Sequence, residues 1–335
     1  MTSHPGGSRA AERTRRPHGP KVVALGGGHG LAAALSALRH LSDQLTGVVT
    51  VADDGGSSGR LREEFGVLPP GDLRMALSAL CDDRAWGRLW RDVLQHRFKT
   101  DGPLNGHSMG NLLIVALWEQ LGDPVEGLDR IGELLGARGR VLPMAAVPLE
   151  IEADVRAPDG SPTVVRGQYN VATTSGRVEH VRLVPANPPA RPEAVRAVLD
   201  AEWVVLGPGS WYTSVIPHLL VPELSDALHA TRAHRALTLN LSAQAGETSG
   251  YGACDHVVAL ADHAPDLRID VVIADPVTVE DVDALTAAAG RLGAQVLLRQ
   301  VRKASAPAKH DPLRLAAAYR DAFDSFLGDV GTVAG

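Results

Sequence analysis

One stretch, Lys21 to Asp54, constrains the fold more than any other part of the chain. Lys21–Leu25 (KVVAL) reads as a short buried strand that runs straight into Gly26-Gly27-Gly28-His29-Gly30. Leu31, Leu35, Leu38 and Leu41 then follow at helical spacing, and a second apolar run, Val48–Ala52, ends at Asp53-Asp54. Strand, glycine loop, helix and strand in that order open a doubly wound α/β fold. The loop departs from G-x-G-x-x-G because position 31 is Leu. Its glycines still let backbone N–H groups approach an anion at the positive end of a helix. Asp53 lies 27 residues after Gly26, near where dinucleotide folds place an acid that accepts ribose hydroxyls.

The remaining chain keeps the same rhythm. Asp72 reads as the N-cap of a helix carrying Leu73, Leu77 and Leu80, and another helix is expected from Asn111 to Leu121. Between Val141 and Pro185 the pattern changes to alternating segments near 149–155, 164–169 and 178–184, broken by Pro158-Asp159-Gly160. A small antiparallel excursion is expected there. Helix and strand then alternate again, with strands expected at 203–206, 237–241, 269–273 and 296–301 and a last helix at 313–326. The whole reads as a three-layer, Rossmann-like α/β domain over 21–330, with a mostly parallel sheet and its ligand crevice at the carboxyl ends of the strands. Residues 1–20 read as a disordered tail.

Charge and composition narrow the function classes. Among 335 residues, 33 Lys plus Arg face 39 Asp plus Glu, a net charge of −6. Arg9, Arg13, Arg15 and Arg16 against Glu12 make the tail +3, so the body sits near −9. An acidic body lacks the positive field that nucleic-acid backbones require. No apolar run approaches a membrane span, and the tail has no apolar core of a secretory signal. Cys81 and Cys254 are isolated, as suits a reducing compartment, so a cytoplasmic location is expected.

Several polar loops fall at expected strand ends. Asp53-Asp54 opens DDGGSSGRL, which can hold a divalent cation through carboxylates or wrap an anion with amides. Leu206-Gly207-Pro208-Gly209-Ser210 and Asn240–Thr248 offer further small and polar groups, consistent with one shared cleft. Gly106-His107-Ser108-Met109-Gly110 matches the elbow of serine hydrolases, but Gly102 and Pro103 break the strand such an elbow needs. His107, Ser108 and Asn111 instead suit polar contacts at a helix start. No HxH or HExxH pattern supports zinc.

In order, ALGGGHGL, VTVADDGGSSGRLREEFGVLPPGDLR, LNGHSMGNLLIVAL, LGPGSWYTSVIPHLLV and QAGET resemble the YvcK-like, or gluconeogenesis-factor, family, similar in fold to the phospholactate transferase CofD. The resemblance covers Lys21 to about Lys303. It implies a protein that binds UDP-sugars, notably UDP-N-acetylglucosamine, and supports cell shape and envelope synthesis under gluconeogenic growth, with no reaction firmly attached. A homo-oligomer and envelope-synthesis or regulatory partners go with it. The matching positions are Gly27, Gly28, Gly30, Asp53, Asp54, Ser57, Ser58, Asp72, Arg74, His107, Ser108, Asn111, Gly207, Gly209, Ser210 and Thr213. His29 stands in the first loop where Thr is expected, and is carried with them as a ligand contact. Trp211, His218, Ala245 and Ala274 also depart from the pattern. The expected activity is nucleotide-sugar binding with no required cofactor. The alternative is a CofD-like transfer of a phosphate-linked group, with Mg²⁺ near Asp53 and Asp54.

Overall fold

A computed structural model describes residues 18–327 other than Ala245. The chain opens with β1 (Val22–Gly26), α1 (Gly28–Leu38) and β2 (Leu45–Val49). A helical stretch follows: α2 (Gly56–Phe65), α3 (Pro70–Leu80), α4 (Ala85–Gln95), α5 (Met109–Leu121) and α6 (Pro124–Leu135). After β3 (Arg140–Pro143) come β4 (Glu150–Arg156), β5 (Pro162–Arg166), α7 (Gln168–Ala172) and β6 (Arg177–Val184). The α/β alternation resumes with α8 (Pro192–Leu199), β7 (Trp203–Leu206), a π-helical turn at Trp211–Val215, α9 (Pro222–Ala230) and β8 (His234–Thr238). It continues through α10 (Ala253–His263), β9 (Val271–Ala274), α11 (Val282–Arg291) and β10 (Gln295–Leu298). A hairpin of β11 (Arg302–Lys303) and β12 (Ala306–His310) leads into α12 (Pro312–Leu327).

Among the described residues, seven strands form one parallel sheet in the order β10-β9-β8-β7-β1-β2-β3. The chain builds outward from β1 through β2 to β3, then returns to β1's other edge and builds outward through β7 to β10. The reversal between β1 and β7 is the switch point at which doubly wound folds open a crevice. Helices flank the sheet, so its inner strands are wholly buried: β1, β7 and β9 expose no residue. Leu31, Leu35 and Leu38 bring α1 onto this core, each burial contributing about 1.5–3 kcal/mol. Local signals terminate the helices cleanly. Ser108 caps α5 by accepting from Asn111 N–H, and Gly122 ends it in the left-handed region.

The antiparallel excursion is a three-stranded sheet, β5-β4-β6, carrying α7. It begins later than the pattern change suggests, because Val141 and Leu142 pair with β2 as part of β3 in the main sheet. Their buried, unbroken apolar character belongs to a parallel strand. Asp72 is not an N-cap: α3 starts at Pro70 with Pro69 before it, which leaves Asp72 in the first turn. Proline at the first helical position already supplies the required φ and lacks an N–H to satisfy. The tail read as disordered lies, up to residue 17, outside the described residues. No described helix is long and apolar enough to cross a membrane.

Candidate functional site

The crevice is built where the loops after β1 and β7 touch. Gly27 caps α1 with extended backbone, and Gly30 in the first turn lies on the second loop. A side chain at Gly30 would collide with the Pro208 carbonyl oxygen and Gly209 Cα, so glycine here permits the approach. Asn240, just beyond β8, fixes the second loop on both sides: its Oδ1 accepts from Gly209 N–H at 2.9 Å and its Nδ2 donates to Gly209 O at 2.8 Å. Thr50, just beyond β2, donates from Oγ1 to Ser214 O at 2.9 Å. The loops containing Gly27, Gly28, Gly30, Gly207, Gly209 and Ser210 therefore form one continuous lip. His29 is exposed on α1's first turn, whereas Thr213 is buried.

Asp53 lies beyond the strand rather than at its end. β2 stops at Val49, and Thr50 makes the last ladder bond, its amide donating to Gly26 O at 2.9 Å while its hydroxyl turns to Ser214 O. Asp53 Oδ1 accepts from Gly55 N–H at 3.0 Å, and Ser58 donates to the same carboxylate. Burial raises this carboxyl above its ordinary value. Across the crevice, Asp72 lies against Gly27, where the first carbon of any side chain would fall 2.6 Å from Oδ2. Its carboxylate also accepts from the Gly28 amide at the start of α1. Burial, and then the nearby Asp53 charge, push Asp72 up to about 7.

Asp54 turns the other way. It is exposed, and its Oδ1 accepts from Tyr169 N–H at 3.0 Å on α7. Asp53's carboxylate partner at the α1 terminus is therefore Asp72, a pairing that the spacing of 19 residues between them does not reveal. Arg74, 4% exposed, donates from Nη1 to Gln95 Oε1 at the end of α4. Burial, with Arg97 nearby, lowers its pKa to about 10, while Asp72 and Asp53 pull the other way. Among the described residues no three His, Cys, Asp or Glu side chains converge as a complete metal cage. Two carboxylates can nonetheless share a magnesium ion when ligand phosphates complete its shell.

Ser57, His107, Ser108 and Asn111 meet in a buried knot between α2 and α5. Ser57 Oγ lies 3.0 Å from His107 Nδ1 and accepts from Asn111 Nδ2 at 3.1 Å and Ser108 N–H at 3.3 Å. With two donors on its oxygen, Ser57 has its own hydrogen for His107 Nδ1, the arrangement of a neutral imidazole. Burial, reinforced by Arg60, lowers the His107 pKa accordingly. Ser58 accepts from Gly71 N–H at 3.0 Å and so ties the acid loop to α3. These amides and hydroxyls are largely spent inside the protein. The open polar capacity beside them is Asn111 Oδ1 and Arg74 Nε, buried without a partner among the described residues.

The second lip carries a group that the sequence patterns did not single out as a site residue. Glu247, 2% exposed, sits by the amides of Trp211, Tyr212 and Thr213 and the Thr213 hydroxyl, with neither carboxylate oxygen at hydrogen-bonding geometry. Burial raises it to about 7. Trp211 and His218, two of the departures from the resembled pattern, are completely buried, and His218 Nε2 faces Val48 O at 3.1 Å. Ala245 lies outside the described residues.

Comparison with known proteins places the chain among relatives. Residues 22–321 match the family model of CofD, 2-phospho-L-lactate transferase. The "Putative gluconeogenesis factor" of Mycobacterium tuberculosis is 53% identical over 302 residues, covering 88% of each chain. The gluconeogenesis factor of Bacillus subtilis is 38% identical over 262 residues, covering 78% of this chain and 80% of its own. A crystal structure of a UPF0052 family member from Bacillus halodurans superposes with a TM-score of 0.79 at 32% identity, covering 90% of this chain and 98% of that one.

Proposed function

The chain belongs to the CofD family, with gluconeogenesis factors as high-identity relatives, and from that premise we propose that it binds a UDP-sugar of the UDP-N-acetylglucosamine type in the β1–β7 crevice. The observation that carries this reading is the direct contact of the two glycine loops at the switch point, Gly30 on Pro208–Gly209. A diphosphate laid along that lip meets backbone amides and the positive end of α1. Asp72 already faces the same helix end, so an unscreened diphosphate would meet a carboxylate. Asp53 and Asp72 are oxygen ligands suited to Mg²⁺, whose charge would neutralise both acid pair and diphosphate. Arg74 supplies a fixed cation behind them.

In this reading the protein is a regulator of envelope synthesis and cell shape in the cytoplasm, and the sugar nucleotide is its signal. Calorimetry tests the ligand. UDP-N-acetylglucosamine with Mg²⁺ should bind better than NAD or GTP, and equal heats for all three would overturn the assignment. The acid pair also supports the second reading, a CofD-like transfer of a phosphate-linked group. Incubation with a phospholactate-nucleotide donor and a deazaflavin acceptor, read by mass spectrometry, decides it: no product with any divalent metal removes the transferase.

A further inference from the structure

The antiparallel excursion sends α7 back across the carboxyl ends of the main sheet. At one end Tyr169 N–H donates to Asp54 Oδ1 at 3.0 Å, in the loop after β2. Beside it Gln168 Nε2 donates to Thr213 O at 3.3 Å, beyond β7. At the other end Ala172 O accepts from Glu247 N–H at 3.4 Å, beyond β8. In the sheet these strands run in the order β8-β7-β1-β2, so the anchors fall on both sides of the switch point and α7 bridges the crevice.

On this bridge Tyr169 is 64% exposed, more than any other Phe, Trp or Tyr among the described residues. Among the described residues its hydrogen bonds are made by the backbone: the amide donates to Asp54, and the carbonyl accepts from Thr173 Oγ1 at 2.8 Å and Thr173 N–H at 3.1 Å. A tyrosine left out of the core, on an element held by three loops of a nucleotide crevice, presents a rigid π face with little conformational entropy to lose. We propose that Tyr169 is the stacking platform for the ligand's nucleobase, which makes the ligand class a nucleotide with a planar base rather than a sugar phosphate or a bare polyphosphate. This rests on the crevice reading above and extends it to the base. Stacking tolerates any base, since every base has a π face, so selectivity for uracil lies in other contacts.

The experiment titrates wild type, Tyr169→Phe and Tyr169→Ala with UDP, ADP and inorganic pyrophosphate, each with Mg²⁺, after checking that melting temperatures agree. Tyr169→Ala should weaken UDP and ADP by the same factor, about tenfold or more. Tyr169→Phe should retain wild-type affinity, and pyrophosphate should bind all three proteins equally. Wild-type UDP affinity in Tyr169→Ala overturns the platform while leaving the crevice reading intact. Equal losses for UDP and pyrophosphate overturn it too, because they assign α7 a general role in shaping the site. If wild type binds neither UDP nor pyrophosphate, the crevice reading falls and the platform falls with it.

Discussion

Asp72→Asn isolates the electrostatic tension between the buried acids Asp72 and Asp53. Asparagine keeps the shape and an oxygen for the Gly28 amide, and removes the charge that faces Asp53 and α1. In the folded protein the Asp72 carboxyl is raised from its ordinary 3.8 to about 7, by burial first and Asp53 second. Between about pH 4 and pH 7 the unfolded chain has lost this proton and the folded chain retains it. Wild-type stability therefore falls as pH rises through that window and is level above it. At about 1.4 kcal/mol per pH unit the full excursion is at most about 4 kcal/mol. The carboxylate's partial solvent access reduces this, so about 1–3 kcal/mol is expected over the upper part of the window. Asparagine has no such proton, so Asp72→Asn should gain on wild type from pH 5 to pH 8, visible as a shift of a few degrees. Thermal melts of both proteins across that range, with and without Mg²⁺, provide the measurement. Mg²⁺ should raise the wild-type melting temperature at pH 8 and do much less for the variant. A pH-independent difference between the proteins, or equal Mg²⁺ effects on both, would refute the reasoning.

Asp53→Asn should keep the Gly55 contact, leave the ligand-free melting temperature near wild type, and weaken UDP-sugar binding by about tenfold as a charge-assisted contact becomes neutral; a large drop in melting temperature with unchanged affinity would mark Asp53 as a loop cap only. Gly30→Val should separate the two glycine loops because Pro208 and Gly209 occupy the space it needs; retained ligand affinity in calorimetry would contradict the continuous lip. Ser57→Ala leaves His107, Asn111 and Ser108 short of their common partner and should cost about 1–3 kcal/mol in urea unfolding, whereas a cost near zero would show that the knot is replaced by water.

Where the structure followed local chemistry, single segments had been sufficient. Trp203–Leu206 is a strand with the bounds its apolar run suggests, and the helix expected from Asn111 begins two residues earlier, at Met109, behind the Ser108 cap. The glycine loop after β1 was legible for the same reason: strand, turn and helix are neighbours in sequence, and their signals overlap within a dozen residues. The homologous blocks then gathered the loops into one family pattern, though not into one geometry. Asp53 and Asp54 are adjacent in sequence and looked like a pair, yet backbone turning sends one to Asp72 and the other to α7. Gln95 receives Arg74 from a helix that no site pattern touched. Tyr169 looked like part of an alternating strand segment and instead sits on a helical bridge over the crevice. Periodicity along a chain reports which residues leave water, so it specified the strands, helices and glycine turns here. Which loops face one another depends on strand order and on hydrogen bonds between residues far apart in sequence, and those follow only from the packed sheet.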